Sequence, residues 1–231
     1  LIEIAKTKNV TILVDHIFIF SPAVNKIKEL VTKSSFGEIC YYDSTRVNLG
    51  LFQSDVNVVW DLAIHDLSIM SYILDTEVKS VSATGHSLEK NNPEYVGYLS
   101  LNLENNCIAH INVNWLSPVK IRNTLIGGKQ KMIVYNDLEN YEKVKVYDKG
   151  IDLKDSQESI HKKLISYRTG DILCPKIKNE EPLFNLVEHF VECIKTQKKP
   201  LSSGEEGLKL IKILEAAELS MKNCGQQTLI E

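Results

Sequence analysis

The spacing of apolar residues changes once along the chain. Before residue 75, apolar positions recur every three or four residues, as at Val24, Ile27 and Leu30, which predicts helices between short strands. From Val78 onwards, apolar and polar positions alternate, and short polar turns such as Gly127-Gly128 separate the alternating runs. This second pattern predicts an antiparallel meander of consecutive strands, and two further helices close the chain.

The bounds of each element follow from this pattern and from local end signals. Pro22 is typical of a first helical position, and Ser203 with Glu206 forms a capping box. Helices are predicted at 1–8, 22–33, 58–74, 182–197 and 205–223. Strands are predicted at 11–20, 39–47, 78–86, 95–103, 107–115, 121–126, 131–136 and 143–148, with a loop at 48–56 and a long irregular excursion at 149–181.

This order of elements predicts an α+β fold, an open and mostly antiparallel sheet with helices on one face. Residues 1–20 fit that unit poorly, because a helix followed by a buried strand is typical of the last step of a parallel-sheet domain. The other face of the sheet is expected to carry Val144, Val146, Ile111 and Val113 and to remain uncovered. An uncovered face of that size favours self-association, so a homodimer or homotetramer is expected.

Composition narrows the class of protein. Hydrophobic residues make up 43% and charged residues 25% of the chain, which excludes a disordered or collagen-like protein. The net charge of −3 gives no basic stripe for nucleic acid, and no apolar run reaches the length that crosses a bilayer. Five scattered cysteines without a Cys-x-x-Cys pair predict buried thiols in a reducing cytoplasm. The 11 glycines contain no Gly-x-Gly-x-x-Gly phosphate loop.

The predicted helix 58–74 carries the most informative polar residues. Asp61, His65 and Ser68 lie four and seven positions apart, so they share one face of a helix that is otherwise apolar almost all round. Three interpretations remain open: a satisfied Asp61–His65 ion pair in the core, a metal pair, or a general acid/base histidine whose tautomer and pKa Asp61 sets. No third ligand with suitable spacing supports the metal site.

Five runs of sequence resemble the Gfo/Idh/MocA family, the family of glucose–fructose oxidoreductase and inositol dehydrogenase. In chain order they are 14–24 (VDHIFIFSPAV), 36–39 (FGEI), 57–69 (NVVWDLAIHDLSI), 115–122 (WLSPVKIR), and 181–183 (EPL) with His189-Phe190. The Asp-x-x-x-His pair alone is a weak signal, whereas the ordered set is fairly specific and spans nearly the whole chain.

The resemblance implies a Rossmann domain for NAD or NADP, followed by an α/β domain for substrate binding and oligomerisation. Residues 1–20 would then be the remnant of the N-terminal dinucleotide-binding domain, and 21–231 the C-terminal domain. The family's Glu-Lys-Pro motif and glycine fingerprint are absent here. The implied reaction is oxidation or reduction of a sugar-type hydroxyl, with His65 as acid/base and Asp61 as its partner carboxylate.

Further site residues are predicted with an alternative for each. His16 matches a family histidine near the nicotinamide, or is a strand-end histidine satisfied by backbone. Arg46 and Asn48 would meet substrate hydroxyls or a phosphate, although a surface ion pair would suit Arg46 equally. Trp60 would stack on a sugar or simply pack. Lys120, with Arg122 on the same side of a strand, is a candidate at the sheet rim. The remaining histidines, His86, His110, His161 and His189, are expected to be structural.

Two functions follow. The leading one is the C-terminal part of a nicotinamide-dependent dehydrogenase for a sugar or nucleotide sugar, inactive without its cofactor domain. The alternative is a non-catalytic binding or oligomerisation module from a split or degenerate gene. The genomic DNA upstream of Leu1 separates them, because a glycine-rich strand-turn-helix in frame favours the enzyme and an immediate start codon favours the module.

Overall fold

The computed structural model describes residues 1–50, 53–89, 92–154 and 164–230. Its α-helices are α1 Ile2–Lys8, α2 Pro22–Val31, α3 Ile64–Leu74, α4 Pro182–Thr196 and α5 Gly204–Lys222. A π-helical segment, Val59–Ala63, leads into α3, and short 3₁₀ turns lie at Ile17–Phe20 and Ser34–Phe36. The strands are β1 Ile39–Leu49, β2 Val78–His86, β3 Val96–Leu103, β4 Ile108–Asn114, β5 Leu116–Gly128, β6 Met132–Asn136, β7 Val144–Tyr147, β8 Gly150–Lys154, β9 Leu164–Arg168, β10 Ile172–Leu173 and β11 Thr228–Leu229.

Nine strands form one open sheet in the order β10-β7-β6-β5-β1-β4-β3-β2-β11, which confirms the predicted α+β class. The predicted simple meander is wrong at one point, because β1 inserts between β4 and β5. It pairs with β4 in parallel and with β5 in antiparallel orientation. Strands β8 and β9 form a separate antiparallel hairpin inside the predicted excursion 149–181. Residues 155–163 of that excursion lie outside the described residues.

The core lies between the sheet and its helices. One row of register partners, Tyr42, Ile126, Ile133 and Val146, runs across four strands and is buried throughout. The prediction that Val144, Val146, Ile111 and Val113 line the uncovered face is wrong, since all four belong to this core. Alternation assigned these residues to one face correctly, but it carries no information on which face the helices cover.

The predicted strand 11–20 is not formed. Leu13 makes one isolated bridge to Ser203, and the amide of Val14 donates to the carbonyl of Ser202. Among the described residues no further strand lies beside this segment, so its β-branched run has no ladder to join, and residues 17–20 turn tightly instead.

The cysteine prediction is only partly correct. All five cysteines are free thiols, but only Cys107 and Cys193 are buried, whereas Cys40, Cys174 and Cys224 are exposed. Of the helices that the structure describes, none combines the length and apolar character needed to cross a membrane.

Candidate functional site

The entry to α3 is a π-helical segment, which changes the predicted geometry of Asp61 and His65. The side-chain oxygen of Asn57 accepts the amides of Val59 and Trp60 and so starts the segment. A π-helical turn holds more residues than an α-turn, so positions four apart no longer stack as in a regular helix. Asp61 accepts a hydrogen bond from the Trp115 indole at 2.9 Å instead. No hydrogen bond joins Asp61 to His65 within the described part of the chain, so the predicted pairing is not formed.

His65 lies half-buried at the start of α3, with its imidazole against the ring of Phe18. The two ring centroids are 5.1 Å apart in an edge-to-face arrangement. Within the residues that the structure describes, the imidazole nitrogens have no hydrogen-bond partner. Burial and the positive charges of Arg46 and Arg122, with a smaller effect of His16, lower the pKa of His65 to about 4. The imidazole is therefore neutral at neutral pH and free to accept a proton.

Arg46 lies beside His65 and forms a buried ion pair. Its side chain is held by Asp66 through two hydrogen bonds, Nε to Oδ2 at 2.6 Å and Nη2 to Oδ1 at 3.3 Å. Arg46 is only 3% exposed, so the alternative of a surface ion pair is wrong. Its third nitrogen, Nη1, is buried and makes no hydrogen bond among the described residues.

A second ion pair lies next to the first. Arg122 donates from Nη1 to Oδ2 of Asp137 at 3.1 Å, and the hydroxyl of Tyr135 donates to the other oxygen of Asp137 at 3.0 Å. Lys120, two residues earlier on β5, is exposed. The two residues predicted to share the sheet rim therefore have different surroundings. Arg122 belongs to the cluster around His65, whereas Lys120 is exposed to solvent.

His16 is the one predicted cofactor contact, and it is 7% exposed. Its Nε2 atom is buried with no hydrogen-bond partner among the described residues. Burial lowers the pKa of His16, although the neighbouring Asp15 opposes this. His16 lines a cavity of about 380 Å³ together with Ser68, Tyr72 and Ser202. The alternative that backbone groups satisfy its imidazole therefore fails for Nε2.

Two predicted substrate contacts remain, Trp60 and Asn48. The indole of Trp60 donates to Glu218 of α5 at 3.1 Å, which favours the packing role. Asn48 lies within β1 near a register irregularity, not in a loop as predicted, and is half-buried.

Two of the four histidines expected to be structural have specific partners. His110 stacks on Tyr98 on the uncovered face of the sheet and lies 3.5 Å from a carboxylate oxygen of Asp43. His189 accepts the amide of Leu201 and contacts the thiol of Cys193 at 3.4 Å. His86 is exposed at the end of β2, and His161 lies outside the described residues.

Sequence reasoning missed Phe18, Asp66 and Asp137. Asp66 directly follows His65, so the His-Asp dipeptide in a buried helix was an available signal that one carboxylate needs a cationic partner. Asp137 could not be found in this way, because its contact with Arg122 depends on how β5 and β6 pair. Among the described histidines, cysteines and carboxylates, no group of three or more is placed to hold a metal ion.

A family model described as the C-terminal alpha/beta domain of an oxidoreductase family matches residues 28–227. The solved structures that resemble the chain include UDP-N-acetylglucosamine 3-dehydrogenase from Acidithiobacillus ferrooxidans, with 17% identity and a TM-score of 0.78 over 97% of this chain and 66% of that one. An oxidoreductase from Agrobacterium radiobacter in complex with NAD⁺, L-tartaric acid and magnesium has 16% identity and a TM-score of 0.76 over 99% and 68%.

An oxidoreductase from Thermotoga maritima has 20% identity and a TM-score of 0.71 over 97% of this chain and 65% of its own. At these identities the likeness establishes the fold alone. The chain spans about two thirds of the length of these structures. No curated relative matches it in sequence.

Proposed function

The chain belongs to the Gfo/Idh/MocA oxidoreductase family, and from this premise we propose that it forms the substrate-binding part of a nicotinamide-dependent dehydrogenase for a hydroxyl group of a sugar or nucleotide sugar. The family model covers residues 28–227, so it supports this assignment for nearly all of the chain. Because the chain spans about two thirds of its solved relatives, the activity is proposed for the longer protein. One relative is a nucleotide-sugar dehydrogenase by its name, which supports the substrate class.

The observation that carries the proposal is the position of His65. Its imidazole lies half-buried against Phe18, and its nitrogens have no hydrogen-bond partner in the described part of the chain. Burial and the neighbouring arginines lower its pKa, which favours the neutral form. A neutral imidazole accepts the proton of a substrate hydroxyl as the C–O bond gains double-bond character, and returns that proton in the opposite direction. Asp61 would support this role indirectly. Its carboxylate accepts a hydrogen bond from the Trp115 indole and so anchors the π-helical segment that leads into α3.

The cofactor would be NAD or NADP, bound mainly by residues outside this chain. Here His16 is the residue that fits it, since a buried Nε2 without a partner suits a polar group of the nicotinamide. The sequence has no glycine-rich loop for the phosphates. When bound, the nicotinamide supplies the hydride acceptor or donor of the reaction. A relative in complex with NAD⁺ supports this choice of cofactor.

The proposal is tested on the full-length protein with a panel of sugars and nucleotide sugars, followed at the nicotinamide absorbance. We expect His65→Gln to lower kcat/KM by about 10²- to 10⁴-fold, the usual contribution of a positioned general base. Lys129→Met, which removes a surface cation that pairs with Glu38, is the control and should keep wild-type activity. Wild-type turnover by the His65 variant would exclude the acid/base role.

The 231 residues alone should not turn over, because the cofactor fingerprint is missing from them. On the same basis, residues 1–20 are proposed to belong to the dinucleotide-binding domain and 21–231 to the substrate domain. Detection of dehydrogenase activity with this chain alone would refute the first of these statements.

We also propose a homodimer or homotetramer that forms through the uncovered sheet face. Tyr98 is 46% and Ile108 59% exposed on that face, which supports a contact surface there. Light scattering after size exclusion should detect an oligomer for the wild type and a smaller species for Ile108→Lys. A monomeric wild-type protein would contradict the proposal.

A further inference from the structure

The two arginines near His65 face each other across neighbouring strands. Arg46 of β1 and Arg122 of β5 are direct register partners in an antiparallel pair, so their side chains lie on the same face of the sheet. Like charges in this position repel unless each has its own counter-ion. Asp66 and Asp137 supply these counter-ions separately, which allows two guanidinium groups to lie close together beside the imidazole.

Phe18 lies near both guanidinium groups. The centroid of its ring is 4.6 Å from Cζ of Arg46 and 5.9 Å from Cζ of Arg122, both within the range of a cation–π contact. One nitrogen of each arginine, Nη1 of Arg46 and Nε of Arg122, is buried without a hydrogen-bond partner among the described residues. The electron-rich face of Phe18 attracts both guanidinium groups.

The edge-to-face contact at 5.1 Å joins Phe18 to His65. Since no hydrogen bond of the described residues fixes the imidazole nitrogens, packing against this ring is what orients the side chain. The charged and titratable groups that act on the imidazole are Arg46 from β1, Arg122 from β5 and His16 from the segment before α2, and the carboxylates of Asp66 and Asp137 are paired with the two arginines. Lys28 of α2 lies at the far end of α3, where it donates to the carbonyl of Ile73.

We propose that Phe18 is a positioning residue for His65, and that Arg46 and Arg122, each fixed by its carboxylate, clamp the Phe18 ring against the imidazole. This rests on the proposed acid/base role of His65 and reassigns Arg46 from substrate contact to support of the acid/base group. Phe18 and the arginines act through the imidazole: they fix its direction, exclude water from one side and keep it in the neutral form.

The test measures the pKa of His65 by NMR titration of the histidine Cε1–H signals in the 231-residue chain, with the His65 signal assigned by its loss in His65→Gln. Phe18→Leu should raise this pKa from about 4 towards 6.5, by about one pH unit or more, because water reaches the imidazole. Arg122→Met should raise it by a similar amount because a neighbouring positive charge is lost, and Arg122→Lys should restore most of the wild-type value.

Two control variants are matched in chemistry and lie on the surface. Phe184→Leu replaces an exposed phenylalanine of α4, and Lys129→Met removes a surface cation that pairs with Glu38. Neither should move the titration of His65. Arg46 itself is left unchanged, because its loss would leave the buried carboxylate of Asp66 without its counter-ion and endanger the fold.

In the full-length enzyme, Phe18→Leu should lower kcat with little change in KM and move the acidic limb of the pH–rate profile upward. The proposal is overturned if the titration of His65 in Phe18→Leu matches the wild type. The NMR result is independent of turnover, so it distinguishes failure of the clamp from failure of the acid/base assignment. If His65→Gln kept wild-type activity while Phe18→Leu shifted the titration of His65, the proposed acid/base role would be wrong. The proposed positioning of His65 by Phe18 would still hold.

Discussion

Acidification from pH 7 to pH 5 should destabilise the folded chain through His65. The folded protein holds the pKa of His65 at about 4, whereas the ordinary value is 6.5, so between these values the unfolded chain binds a proton that the folded chain does not. This contribution to stability is fully present above about pH 6.5 and is lost as the pH falls through about 4. The two pKa values give a loss of about 2 kcal/mol in the free energy of unfolding between pH 7 and pH 5, and about 3 kcal/mol by pH 4.

The assay is urea unfolding at pH 7 and pH 5, followed by circular dichroism. Other titrating groups also change between these pH values, so the quantity that tests the reasoning is the difference between wild type and His65→Gln. The wild type should lose about 2 kcal/mol more than this variant, because glutamine does not titrate. Phe184→Leu, at an exposed residue of α4 without a titratable group, should lose as much as the wild type. Equal losses in wild type and His65→Gln would refute the argument that burial keeps His65 neutral.

Three substitutions test the surrounding fold by urea unfolding at pH 7. Ser203→Ala removes the side-chain cap of α5 and should cost about 1 kcal/mol, whereas an unchanged midpoint would show that the cap is dispensable. Gly97→Ala would place a Cβ atom 2.7 Å from a methyl group of Val59 and should lower the free energy of unfolding by about 1–3 kcal/mol. An unchanged free energy of unfolding would show that the π-helical segment can move without strain. Asp61→Leu removes the carboxylate that accepts from the Trp115 indole and should cost about 1 kcal/mol or more, and wild-type stability would contradict its anchoring role.

The elements of the fold were predictable where their signals are local. Pro22 and Pro182 begin their helices as predicted, and Ser203 accepts the amide of Glu206 at the start of α5. The order of the strands was not predictable, because alternation defines the two faces of a strand and not its neighbours. β1 precedes α3 in sequence but lies beside β4 in the sheet, so the expectation of a meander failed there.

In the candidate site, too, residues with a local sequence signal were predictable, and contacts between distant segments were not. His65 was found because one helix presents it within a run typical of the family, and His16 because a short motif contains it. Arg46 was found as a residue, but its buried contact with Asp66 was not, since that contact joins a strand to a helix. Phe18 lies in a segment predicted to be a strand, and only the 3₁₀ turn that replaces the strand brings its ring to the imidazole.

The separation of Asp61 from His65 follows from the π-helical segment and has a chemical consequence. This wider turn is favoured locally, since Asn57 accepts two of its first amides and Gly97 leaves room for Val59. π-Helical turns are rare and occur often at functional sites. With Asp61 turned towards Trp115, the charges that act most on His65 are positive, and they oppose its protonation. Had a regular helix brought the carboxylate to the imidazole, the pKa of His65 would be raised and the protonated form favoured. The local helix geometry therefore favours the neutral imidazole, which is the form that the proposed role as a base requires.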